Sequence, residues 1–142
     1  MGDDITARCA AIEECYEYML AYAGQGVTGD EASKSSSQVR TFLTQAADAL
    51  SELADAYSAA VKQENLQPAE RYDAFLEVLD RDARDSLAAI QLVLAQPTLS
   101  SQLIDNLNAS IHLRALLTDL FLVDEILKPR RLPAESGAAG IS

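Results

Sequence analysis

The chain has 142 residues, 49% hydrophobic and 23% charged, with 22 acidic against 11 basic side chains and a formal net charge of −11. A chain of this length fits one domain that buries roughly 70% of its unfolded surface, so it needs neither disulfide nor metal to hold a core. The acidic balance argues against nucleic acid, whose binding draws on clustered Lys and Arg, and against docking on anionic membranes.

Four periodic segments follow in chain order, with no internal repeat. The first runs from about Asp4 to Ala23, with Asp3 or Asp4 able to cap its amino end and Gly24 and Gly26 ending it. Ile5, Cys9, Ile12, Tyr16, Met19, Leu20 and Ala23 recur at helical spacing and predict one buried stripe. Glu13, Glu14 and Glu17 make a solvated acidic face, and Tyr18 and Tyr22 fall off the stripe. Gly24 to Ser37, rich in Gly and Ser, reads as a long mobile linker.

The second segment runs from about Ser36 to Glu64, with Ser35 and Gln38 resembling a capping box. Its stripe is Val39, Phe42, Leu43, Ala46, Leu50, Leu53, Tyr57, Ala60 and Val61. The third runs from about Pro68, tolerated at a first helical position, to Gln96. Tyr72, Phe75, Leu76, Leu79, Ala83, Leu87, Ile90, Val93 and Leu94 form its core face, with Glu70, Asp73, Glu77 and Asp80 opposite.

The fourth segment, from Leu99 or Ser100 to Lys128, is apolar nearly all round and is expected to stop at Pro129. Ile104, Leu107, Ile111, Ala115, Leu122 and Ile126 make one stripe, and Leu113, Leu116, Leu120 and Leu127 a second, roughly opposite. A helix apolar on two sides must bury both. The first stripe is assigned to the chain's own core and the second to a homodimer interface. Lys128, Arg130 and Arg131 oppose the negative helix end, and residues 129–142 read as a disordered tail.

Chemistry-bearing residues are few. Cys9 and Cys15 lie six apart, roughly 240° of helical rotation, so they cannot pair within one helix and read as free thiols in a reducing cytoplasm. No signal peptide or membrane span is evident. His112 is the single histidine, and Asp105 and Asp119 stand seven residues either side of it on one predicted face. These three are the candidate polar site. A di-iron carboxylate centre is excluded because no Glu-x-x-His is present; a lone mixed metal site using His112 remains open. His112-Leu113-Arg114-Ala115 resembles the histidine helix of bundle phosphotransfer domains over four residues, without the glycine that lets a partner approach. A Cys9 or Cys15 pair with His112 would require the first and last helices to touch. No phosphate loop, dinucleotide fingerprint, nucleophile elbow or zinc spacing occurs.

The fold class expected is all-α, an antiparallel up-down four-helix bundle over residues 1–128. The function expected is that of a cytoplasmic, non-catalytic interaction protein with no cofactor, pairing with itself through the last helix and with another protein, but not with nucleic acid or membrane. The alternatives are a phosphotransfer or metal and ligand module centred on His112, and a small-molecule pocket among the bundle helices.

Overall fold

A computed structural model describes the backbone of residues 3–24 and 29–131 and the side chains of residues 4–24 and 37–127. The described residues are all-helical. Six helices occur: α1 (Asp3–Gly24), α2 (Gly29–Leu50), α3 (Leu53–Gln63), α4 (Ala69–Leu94), α5 (Ser101–Asn108) and α6 (Ile111–Arg131). None is long and apolar enough to cross a membrane.

Two of the four expected helices are each divided in two. The second breaks at Ser51–Glu52, where Glu52 takes a left-handed conformation (φ 62°) that costs a side-chain-bearing residue energy. No Gly or Pro marks this point. Arg8 of α1 holds it instead: its guanidinium, paired with Asp4 at 3.0 Å, donates to Ala49 O at 3.0 Å and to Ser51 O. Carbonyls that lose their helical partners at the break are thus satisfied by another helix.

The fourth helix breaks between Asn108 and Ile111. Ser110 Oγ accepts from Leu113 N at 3.3 Å, capping a new helix start. Ser100 does the same for α5, accepting from Leu103 N at 3.1 Å. Asn108 is buried at the junction and leaves its Oδ1 without a hydrogen-bond partner. The stretch from Leu99 to Lys128 is therefore not one continuous rod.

Three boundaries also shift. The expected Gly24–Ser37 linker is mostly helix, because α2 begins at Gly29; Ser35 lies inside it and cannot cap it. Pro68 precedes α4 as its N-cap rather than as its first residue. The α6 backbone continues past Pro129 to Arg131; the missing proline N–H costs one intrahelical bond near the terminus. The rest of the expected tail, residues 132–142, and the side chains of Lys128, Arg130 and Arg131 lie outside the described residues.

The core agrees best with the pattern in α2, α3 and α4. Val39, Leu43, Ala46, Leu50, Leu53, Tyr57, Ala60 and Val61 are buried, as are Leu76, Leu79, Ala83, Ile90 and Val93. Each large side chain buried in full stabilises by roughly 1.5–3 kcal/mol. In α1 the stripe is rotated from its expected phase: Cys15 and Tyr22 are buried beside Ile5, Ile12 and Met19, while Leu20 is exposed. Tyr22 is drawn inward by polar contacts, its hydroxyl donating to Leu99 O and its carbonyl accepting from Ser101 Oγ at 2.8 Å. Tyr18 stacks on Phe42 with ring centroids 4.4 Å apart, which aligns α1 with α2. Arg40 Nη1 donates to Leu94 O at 2.7 Å and Nη2 to Gln96 O, so an α2 arginine caps the end of α4.

Candidate interaction surface along the α4 and α6 seam

α4 and α6 pack together and run antiparallel. Ser86 Oγ on α4 donates to the His112 carbonyl near the start of α6 at 3.0 Å. At the other end Arg71, Tyr72 and Phe75 face Leu122, Val123 and Ile126. Between them Asp82 meets Asp119.

The break at residues 108–111 frees α6 to turn inward a different face from the one α5 buries. Leu113, Leu116, Leu120 and Leu127 are only 5, 1, 2 and 2% exposed, filling the chain's own core. They are not a surface open to a second copy, which corrects the interface expected for them. The stripe assigned to the core divides instead. Ile104 and Leu107 on α5 are buried, but Ile111, Leu122 and Ile126 on α6 are 75, 50 and 45% exposed. In an unbroken helix those residues would share one environment. A non-helical junction resets the rotational phase, so α5 and α6 bury different faces. Phe121, 60% exposed, adds a further apolar side chain on the outside of α6.

Beside this stripe lies a half-open cleft of about 350 Å³ between α3, α4 and α6. Tyr57 and Val61 form its floor, Tyr72, Phe75 and Leu76 one wall, and Leu122, Val123, Ile126 and Leu127 the other, with Arg71 as the charged group among the lining. Its volume falls in the range of ligand sites.

Asp119 is buried, 8% exposed, and its Oδ2 has no hydrogen-bond donor in reach. Its carboxyl is pushed up to about 7, first by burial and then by hydrogen bonding and charge repulsion from Asp82. Two ionised carboxylates cannot hydrogen-bond each other, so the contact with Asp82 favours the protonated form of Asp119. Asp119 therefore titrates near neutral pH rather than in the usual carboxylate range. Asp82 was not singled out in the sequence, although the signal was there. It falls in phase with Phe75, Leu79, Ser86 and Ile90, a carboxylate on the core-facing side of its helix.

The expected polar site does not assemble as one stripe. Asp105 is exposed on α5, His112 is exposed in the first turn of α6, and only Asp119 is buried. The helix break separates the first from the other two. Among the described residues no group of three or more His, Cys, Asp or Glu side chains is placed to hold a metal ion. His112 is accessible, as phosphotransfer needs, but stands beside a helix start rather than in mid-helix. Cys9 is half-buried with its Sγ 3.2 Å from Tyr57 Oη. Cys15 is buried, and burial lifts its thiol to about 12, so it holds its proton and is no nucleophile.

Comparison with protein-family models, with curated proteins and with solved structures finds no match to this chain.

Proposed function

We propose that the protein is a non-catalytic interaction module that works as a homodimer through α6. The observation that carries this reading is the concentration of exposed apolar side chains on one helix. Of the large hydrophobic residues left exposed among the described side chains, Ile111, Phe121, Leu122 and Ile126 lie on α6, and only Leu20 and Leu92 lie elsewhere. Scattered apolar residues are normal on a surface, but Ile111, Leu122 and Ile126 fall within roughly 60° of arc on one helix, and an apolar face of that kind marks an association site. In this reading α2 with α3, and α5 with α6, act as two bent rods beside α1 and α4 in an up-down bundle, and the outer face of α6 is closed by a partner.

The size of the interaction follows from the same residues. Covering the exposed part of Ile111, Leu122 and Ile126 contributes roughly 1–2 kcal/mol each in each copy. Lost translational and rotational freedom offsets several kcal/mol of that sum. Association no tighter than micromolar is the expected result. The net charge of −11 on each copy opposes it, though salt screens that repulsion beyond about 8–10 Å.

Sedimentation velocity from low to high micromolar concentration tests the reading. A concentration-dependent shift from monomer to dimer is expected, with Leu122→Asp/Ile126→Asp held at the monomer. Both residues are about half exposed in the protomer, and an unchanged far-ultraviolet circular dichroism spectrum checks that the variant keeps its fold. A wild-type chain that stays monomeric throughout refutes self-association.

A further inference from the structure

The spacing of the exposed stripe on α6 specifies how a second copy would sit. Ile111, Ala115, Leu122 and Ile126 lie within roughly 60° of arc at about 100° per residue. Their intervals are four, seven and four residues, the same read from either end, with the midpoint between Thr118 and Asp119. A two-fold interface presents the same patch on both subunits, so residue i meets j and j meets i. A helix stripe that reads alike in both directions meets that condition when two copies lie antiparallel.

Resting on the homodimer reading, we propose that α6 pairs antiparallel with α6 of a second copy about an axis beside Thr118. Ile111 of each copy then lies opposite Ile126 of the other, at the open side of the cleft formed with Tyr72 and Phe75. Ala115 lies opposite Leu122. The small alanine leaves room for the leucine, which lets the helices approach closely. Ile111 is the most exposed large hydrophobic residue described, and this seating covers it against the apolar cleft between α3, α4 and α6.

Charge complementarity supports the same direction. Arg114 and Glu125 are exposed on one flank of the stripe. In an antiparallel two-fold pair like flanks face each other, and Arg114 comes opposite Glu125 of the other copy with an axial offset of about 3 Å. The pair forms twice. A parallel two-fold arrangement would instead bring unlike flanks together, leaving Arg114 and Glu125 of the two copies on opposite sides of the interface with no such pairing. Asp119 stands on the other flank, near the axis, with its carboxyl engaged by Asp82 across the seam rather than presented to the second copy.

The test is a charge-exchange series on the full chain, read as dimer dissociation constants by sedimentation equilibrium. Arg114→Glu alone and Glu125→Arg alone each set like charges opposite one another twice, and each weakens the dimer about tenfold. The double exchange R114E/E125R restores opposite charges and recovers dimerisation to within about threefold of the wild type. Ile111→Asp places a charge against the cleft and weakens the dimer about a hundredfold. A dimer indifferent to Ile111→Asp, or a double exchange weaker than both single ones, overturns the antiparallel seating while leaving self-association standing. A wild-type chain that is monomeric at high micromolar concentration overturns self-association itself and leaves the stripe to a different protein.

Discussion

Asp82 and Asp119 face each other across the α4 and α6 seam, with Asp119 Oδ2 buried and lacking a donor. Their proximity makes the seam sensitive to protons. A carboxyl raised from 3.8 to about 7 on folding binds more protons in the native chain than in the unfolded chain between those values. Its contribution to stability is whole at low pH and is lost as pH rises from about 4 through about 7. Acid denaturation through other carboxylates runs the opposite way and is superimposed on it.

Replacement of Asp119 by Asn keeps the shape, supplies an N–H donor to Asp82 and removes the charge. Asp119→Asn is expected to stabilise the protein at pH 8 by about 1–2 kcal/mol, the penalty for an unsatisfied buried group discounted for solvent screening. Near pH 5 the gain should shrink toward zero. Thermal melts at the two values decide it; an equal gain at both would show that the proton has no part in the effect.

Arg8 holds the kink between α2 and α3 through Ala49 O and Ser51 O. Arg8→Met keeps much of the aliphatic stem and removes the donors. A loss of about 2 kcal/mol in urea unfolding is expected, in the range for charge-assisted hydrogen bonds. Asp4→Ala removes only the exposed ion pair with Arg8 and should cost less than about 1 kcal/mol. If the two variants were equally destabilised, the cap would not be the source.

Arg40 ties α2 to the end of α4 by donating to Leu94 O and Gln96 O. Arg40→Lys retains charge but not the fork that reaches two carbonyls at once. It is expected to cost about 1–2 kcal/mol and to raise amide hydrogen exchange selectively in the last turn of α4. Unchanged exchange there would place the role of Arg40 elsewhere.

Cys15 is walled in by the core and keeps its thiol protonated, whereas Cys9 is half-buried. At pH 8 a small thiol reagent should leave Cys15 unmodified in the native protein and modify both cysteines after unfolding. Rapid native labelling of Cys15 would contradict its burial.

Much of the helical content was legible in the sequence, because apolar spacing within a segment is a local property. The stripe from Val39 to Val61 and that from Leu76 to Val93 could be read directly. Ser110 was a readable cap signal, masked by the greasy residues on both sides of it. The break at Glu52 carried no local mark, since Arg8 imposes it from another helix. The phase of α6 was equally out of reach. With Leu113, Leu116, Leu120 and Leu127 on one side and Ile111, Leu122 and Ile126 on another, the pattern shows that two faces are apolar but not which turns inward. Packing against α1, α3 and α4 makes that choice, and the same packing brings Asp82 to Asp119 across 37 residues of chain. Periodicity orients side chains about a helix's own axis; only contacts between helices set the rotation of that axis relative to its neighbours.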